Sequence, residues 1–349
     1  MAGRSICGYL FSNYYCLFSI MNFQQSKSPS GINGAWSSGL GFLLWLGSMW
    51  VRVTGAMKEA FFPTRCLVCG SFFRNSRQEN RSLKTFLQIL SSWEQGFFGL
   101  EGFFQKTDLT KEHVEECLGM DAKVFVALMS PFICANCSDT YMAVESPICS
   151  TCGVVFESRE GEDHDCGECL NTPKRFRMAR SAGVYDKVLM AAIHCLKYKE
   201  KIQLARPLGV LLFMAFCRYW NKGNINLIVP IPLHKRKFRS RGFNTSFLLV
   251  KEWAFILKAL NGALPVIPVA GDILVRKRWT NPQTGLGRKD RLQNIKNAFG
   301  VSDSSKVKGK KILLVDDVYT TGATANECAK VLLRAGAARV DVLTLARAM

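Results

Sequence analysis

The 349-residue chain shows no convincing membrane span: the apolar run at residues 39–50 ends after twelve residues, short of the ~18–20 that a bilayer requires. That run also lies far from the start, and no basic region leads directly into it, so a secretory signal is not expected. A Gly-Lys-Thr element is missing, which excludes a Walker phosphate loop. Acidic residues are scarce, 27 against 46 Lys and Arg, and the resulting formal charge of +19 points to a phosphorylated ligand or a nucleic acid rather than to a cationic partner. Residues 1–56 mix aromatic residues, Ser and Gly without sustained periodicity. They read as a leader outside the architecture of the rest, with Met57 as the expected start of translation.

What is present is concentrated near the carboxyl terminus, in residues 311–325, KILLVDDVYTTGATA. Ile312, Leu313, Leu314 and Val315 read as a strand buried on both faces, with Asp316 and Asp317 at its carboxyl end. From Thr324 onward Ala325, Cys328, Ala329 and Leu332 recur at helical spacing, Gly336 supplies a stop, and residues 339–345 read as a further strand. Ligands of open α/β sheets bind beyond the carboxyl ends of such strands, where the free N–H groups of a helix amino terminus favour an anion. Thr320, Thr321, Gly322, Ala323 and Thr324 are placed to wrap a phosphate. Hydroxyls donate to it, glycine lets the backbone approach, and the helix dipole adds ~0.3–1 kcal/mol. The two carboxylates can accept from vicinal sugar hydroxyls or hold a divalent cation such as magnesium. A phosphate a few ångströms from a diol is the ligand so described, and ribose 5-phosphate fits. The alternative, aspartates that only cap a helix, is disfavoured by the whole string.

That string resembles the phosphoribosyl diphosphate (PRPP) motif of type I phosphoribosyltransferases: four apolar residues, two acids and a turn ending Thr-Gly-x-Thr. The resemblance implies that Asp316 and Asp317 contact the ribose hydroxyls and that Thr320 to Thr324 hold the 5-phosphate. Upstream, residues 227–232 (LIVPIP) read as a strand, residues 233–244 (LHKRKFRSRGFN) as a basic loop suited to pyrophosphate, and residues 276–299 as a polar, basic lid. Together with AAIHCLKY at 191–198 and LARPL at 204–208, these segments resemble the ComF family of competence-associated, phosphoribosyltransferase-like proteins, over residues 61–73 and 133–347.

Eight of the fourteen cysteines supply an independent signal. They form four Cys-x-x-Cys pairs, Cys66/Cys69, Cys134/Cys137, Cys149/Cys152 and Cys166/Cys169, and pairs of such knuckles make tetrahedral Cys₄ zinc sites. Two structural zinc ions would use all eight. Cys149/Cys152 with Cys166/Cys169 is the compact pairing, leaving Cys66/Cys69 with Cys134/Cys137, but spacing also permits an interleaved one. His164, beside the last pair, reads as a bystander. ComF-like proteins carry a comparable double zinc ribbon. The reduced thiols that zinc requires, and the absence of an export signal, lead to an expected cytoplasmic location.

The resemblance therefore implies an α/β type I phosphoribosyltransferase fold, a parallel sheet flanked by helices, over residues 173–349. A double zinc ribbon would precede it at 57–73 and 131–172, interrupted by an insertion at 74–130. A helix through Leu83, Phe86, Leu87 and Leu90 is expected in the insertion, and closing the longer loop costs only ~1–2 kcal/mol. The activity implied is transfer of phosphoribosyl from magnesium-PRPP to a nitrogen acceptor. Asp316 and Asp317 would orient the ribose, Lys197 would reach the pyrophosphate, and Arg276, Lys277 and Arg291 would be lid contacts. No general base is evident, and the acceptor stays open. The alternative is a non-catalytic nucleotide or single-stranded-DNA-binding module in DNA uptake, with a competence helicase as a partner. Between Pro230 and Lys311, 18 Lys and Arg face 4 Asp and Glu. That excess is more than one PRPP needs, and Trp279 and Phe243 lie among the arginines as candidate base-stacking groups.

Overall fold

Ile312 to Val315 are fully enclosed, and alternate side chains pass into two different cores. Strand geometry sends successive side chains to opposite faces, so a run of four apolar residues requires cover on both sides. A computed structural model describes residues 64–73, 122–158, 160–220, 225–259, 266–280 and 288–349. Beside the first cysteine pair, β1 (Thr64–Arg65) and β2 (Phe72–Phe73) form a short antiparallel ribbon. The central sheet is parallel, with the order β3 (Ala179–Val184), β8 (Arg339–Arg347), β7 (Lys311–Tyr319), β4 (Leu227–Pro230). Residues 268–270 extend the β4 edge through Ile228, and Pro230, next on that side, has no N–H to continue the pairing.

On one face Leu313, Val315, Leu343 and Leu345 pack against α2 (Lys187–Tyr198), α3 (Ala205–Tyr219) and α5 (Thr245–Val250). Between α2 and α5 in the chain, α4 (Lys235–Arg241) follows β4. The α3 helix is buried almost all round. A Cβ at Gly209 would lie 2.6 Å from the Leu249 carbonyl oxygen, so glycine is what permits α3 and α5 to cross this closely. Among the described residues, 202–219 are long and apolar enough to cross a membrane, but their buried side chains form the centre of this core. On the other face Ile312, Leu314, Val340 and Val342 meet Ala325, Cys328, Ala329 and Leu332 of α8 (Ala323–Arg334). Two further helices, α6 (Trp253–Ala259) and α7 (Arg288–Ile295), and the antiparallel ribbon of β5 (Leu274–Arg276) with β6 (Phe299–Val301), lie between β4 and β7 in the chain.

The cysteine ribbons are not a separate body: residues 63–349 form one compact unit. Cys66 lies in the core on the α3 face, while Cys149, Cys152 and Cys169 lie in the core on the α8 face. Residues 142–144 add to the outer edge of β3 through Val184 N–H to Met142 O at 2.8 Å and the Ala143–Gly183 bridge. The end of the insertion is also part of the core. Residues 122–129 form a helix, α1, whose Phe125 stacks on Tyr141 with ring centroids 4.1 Å apart. The helix expected at residues 83–90 and the leader at 1–56 lie outside the described residues.

Two further expectations change. The strand expected to stop at Val315 runs on through both aspartates to Tyr319, because β8 pairs with it as far as Tyr319–Arg347. Residues 235–241 of the expected basic loop are the helix α4. His234 Nδ1 caps it by accepting from Arg236 N–H at 3.2 Å, and left-handed Gly242 ends it. One apolar residue, Phe238, gives that helix no periodicity to read.

A polar junction in the sheet centres on Asp341, which is wholly buried in β8. It accepts from Arg177 Nε and Nη2 at 2.9 and 3.0 Å and from the Trp220 indole N–H at 2.8 Å, tying the ribbon's exit and the end of α3 to one strand. Asp341→Ala is expected to lose ~3 kcal/mol in denaturant unfolding at constant metal content, because a buried indole donor and a guanidinium lose their acceptor. Asp341→Asn keeps an acceptor for Trp220 and is expected to lose roughly half as much.

Candidate functional site

Because β4 ends at Pro230 while β7 continues, Asp316 to Tyr319 project past their neighbour into a crevice at the carboxyl edge of the sheet. The crevice opens into a cavity of about 760 Å³. Its floor is Asp316 and Asp317, and one wall is Thr320, Gly322, Ala323 and Thr324 at the start of α8. Asp316 Oδ1 accepts from the Ser246 hydroxyl and the Asp317 N–H, both at 2.9 Å. Burial, then the neighbouring Asp317 charge, pushes the Asp316 carboxyl up to about 7. Asp317 pairs with Lys197 of α2 at 2.7 Å. Burial opposes the Lys197 charge, but Asp317 outweighs it and raises the ammonium above its ordinary value.

The geometry of the turn after β7 depends on one glycine. Gly322 is left-handed (φ +74°), and a Cβ there would lie 2.0 Å from the Tyr319 hydroxyl oxygen beneath it. Only glycine supplies both the conformation and the clearance. The turn is further held by Thr321 Oγ1, which accepts from the Ala323 N–H at 3.4 Å.

Facing this turn are cations from other elements. Arg236, Lys237 and Arg241 come from α4, and Arg276 comes from β5. With Lys197, five cationic side chains line a cavity whose acids are Asp316 and Asp317. Burial lowers the Lys237 ammonium, and Arg241, Lys197 and Arg276 lower it further. The cavity therefore holds more positive charge than it neutralises, a condition that a polyanion relieves.

Of the residues singled out in the sequence, the fold brings Asp316, Asp317, Thr320, Gly322, Ala323, Thr324, Lys197 and Arg276 to this one cavity. Thr321 shares the turn. Lys277 is not among the cavity residues. As the residue after Arg276 it takes the other side of the ribbon, where its side chain covers Gly300. The Arg291 side chain lies outside the described residues. Trp279 lines the cavity with its ring edge-on to His234, while Phe243, outside the cavity lining, is partly buried against the hydrophobic core. Sequence reading did not single out Ser246, Tyr185, His194 or Tyr198. They are isolated polar or aromatic residues on helices and loops distant in the chain, and only folding places His194 Nε2 3.0 Å from the Tyr185 hydroxyl at the cavity wall.

The eight paired cysteines gather as two sets of four, Cys66, Cys69, Cys134 and Cys137, and Cys149, Cys152, Cys166 and Cys169, each set with its sulfurs within 4.8 Å of one another. This is the compact pairing. In each set backbone N–H groups donate to sulfur, from Val68 and Cys134 to Cys66 Sγ at 3.4 and 3.5 Å, and from Cys152 and Cys166 to Cys149 Sγ at 3.3 Å. Such donors stabilise thiolates, so both sets suit a tetrahedral zinc ion. His164 stacks on Phe156 and belongs to neither set.

A family model described as "Phosphoribosyl transferase domain" matches residues 256–349. The chain is 33% identical to competence protein F of Haemophilus influenzae over 221 residues, 62% of this chain and 90% of that protein. It is 32% identical to the DNA utilization protein YhgH of Escherichia coli K12 over 62% of this chain and 91% of that one, and 26% identical to competence protein ComFC of Bacillus subtilis over 62% and 84%. With a parallel sheet carrying the Asp316-Asp317 strand beside the Thr320–Thr324 turn, and with two cysteine sets built into its flanks, the chain belongs to the ComF family of type I phosphoribosyltransferase-like proteins.

Proposed function

We propose that the cavity binds PRPP with magnesium and that the protein transfers its phosphoribosyl group to a nitrogen nucleophile. The observation that carries this reading is the meeting, at one strand end, of two carboxylates, a phosphate-sized turn with left-handed Gly322, and a facing set of cations. Asp316 and Asp317 hold the ribose hydroxyls, and the turn from Thr320 to Thr324 holds the 5-phosphate. Arg236, Lys237, Arg241 and Arg276 lie where a pyrophosphate would relieve their mutual repulsion. The carboxylate oxygens are hard donors that fit magnesium, which supplies charge neutralisation for the leaving pyrophosphate. In the reaction the bond from the anomeric carbon to the pyrophosphate oxygen breaks, a carbon–nitrogen bond forms, and the nitrogen releases a proton. Carboxylates beside the ring favour the positive charge that develops on the sugar. Both cysteine sets hold zinc in this reading, as structural ions.

A second reading rests on a different observation. Trp279, 39% exposed, stands 5.9 Å from the Arg236 guanidinium, and Phe238 is exposed on α4 between Lys237 and Arg239. Aromatic faces among cations suit single-stranded nucleic acid. The DNA-related names of the relatives are consistent with a role in DNA uptake. The two readings share the cavity's cations and differ in whether PRPP is turned over.

Four outcomes are expected. Incubation with magnesium-PRPP and a panel of nucleobases and amines releases pyrophosphate, and the Asp316→Asn, Asp317→Asn double variant, shown folded by circular dichroism, loses at least ~100-fold of that rate; undiminished release in the variant refutes the assignment. Affinity for PRPP rises between pH 6 and 8, since Asp316, protonated below about 7, accepts from hydroxyls and holds a cation more strongly once ionised. Asp316→Asn removes that component and leaves the titration of the ligand phosphate and of the cavity histidines His194 and His234. Before ligand binds, the raised carboxyl opposes folding increasingly as pH climbs from the ordinary carboxylate range through about 7, so the Asn variant is expected to show a flatter stability profile there. For the second reading, single-strand binding measured by fluorescence anisotropy falls steeply with salt and weakens in Trp279→Ala; no binding at low salt removes it.

A further inference from the structure

Arg347, the last residue of β8, is 6% exposed and lies between two sites that the chain keeps far apart. Its Nη1 donates to the Thr320 and Tyr319 carbonyls at 2.6 and 3.4 Å, and its Nη2 donates to Cys152 Sγ at 3.7 Å. The guanidinium carbon stands 4.3 Å from the centre of the Tyr319 ring. A buried guanidinium needs a counter-charge, and among the described residues no carboxylate pairs with Arg347. A Cys₄ site holding a divalent ion brings about two net negative charges beside that guanidinium.

We infer that Arg347 is a positioning residue through which metal at Cys149, Cys152, Cys166 and Cys169 fixes the turn that follows β7. The functional consequence rests on the proposed reading of that turn as the 5-phosphate site; the coupling itself does not. The mechanical path is short. With the metal-bound thiolates as its counter-charge, Arg347 is held against the carbonyls of Tyr319 and Thr320. Its face packs the Tyr319 ring under Gly322, where no Cβ fits. Phe176, in the same core as Cys149, Cys152 and Cys169, closes the Tyr319 ring edge-on at 6.2 Å. The other cysteine set packs into the opposite core and has no such link among the described residues. Coupling of this kind is reciprocal: a ligand that orders the turn also retains the ion.

Hydrogen exchange on the full-length, zinc-loaded, ligand-free protein tests the coupling, read on peptides covering residues 319–326. Cys169→Ser, which empties the second set, is expected to speed exchange there about tenfold, and Cys69→Ser, which empties the first, to leave it unchanged. Arg347→Met is expected to give the same acceleration while atomic emission still finds two zinc ions per chain, with Arg347→Lys intermediate. Unchanged exchange in zinc-replete Arg347→Met overturns the inference, as does equal acceleration in Cys69→Ser, which would mean general loosening. In a second measurement, PRPP slows chelator-driven zinc release from the wild type several-fold and has no effect on release from Arg347→Met. PRPP that binds without slowing release also overturns the inference. A wild type that binds no PRPP defeats the ligand reading alone, and the exchange result then decides the coupling.

Discussion

The architecture depends on β7 being covered on both faces and yet outlasting its neighbour β4. Ile312 to Val315 demand a core on either side, and the chain meets this with α3 and α5 on one face and α8 on the other. Burial of four such side chains is worth several kcal/mol, enough to fix the register with β4 and β8. Once β4 has ended at Pro230, that register leaves Asp316 and Asp317 in an open crevice, with Tyr319 still paired to Arg347. Carboxylates that would be intolerable one turn of the strand earlier become the polar floor of a cavity.

Electrostatics then divides the site by sign. The carboxylate floor is partly neutralised from within, by Lys197 on Asp317 and by the Ser246 hydroxyl on Asp316. Among the described residues Arg236, Lys237, Arg241 and Arg276 form no ion pair, and burial, followed by the charges of Arg241, Lys197 and Arg276, lowers the Lys237 ammonium. A ligand with hydroxyls at one end and several phosphate charges at the other matches this separation better than a neutral metabolite does. The same surplus explains why an enzyme reading and a nucleic-acid reading both arise from one set of residues.

The cysteine sets belong to this design rather than standing in front of it. One is packed into each core, on opposite faces of the sheet, so both contribute to the cover that β7 requires. The long separation between Cys69 and Cys134 does not isolate the first set, because the helix at 122–129 returns the chain directly onto the core.

Much of this was legible in the amino-acid order. A four-residue apolar run, two acids and a threonine-rich turn are local features whose geometry follows from strand alternation and helix capping, so the strand, the turn and α8 can be read without a fold. Cysteine spacing likewise decided that knuckles form. Their pairing was beyond it, since two-residue spacing is the same in every pair, and only the sheet brings Cys134 to Cys66 and Cys166 to Cys152. The helix at 235–241 was hidden because a charged segment with a single phenylalanine has no apolar face to count. Lys277 shows the same limit in reverse: its neighbour Arg276 reaches the cavity, and the alternation of β5, set by pairing with β6, turns Lys277 away. The sequence by itself determined which groups can do the chemistry, because residue type and local spacing carry that information. The tertiary structure alone decided which of them meet, because contacts across the sheet, such as Ser246 with Asp316 or Arg347 with Thr320 and Cys152, depend on register and burial between segments distant in the chain.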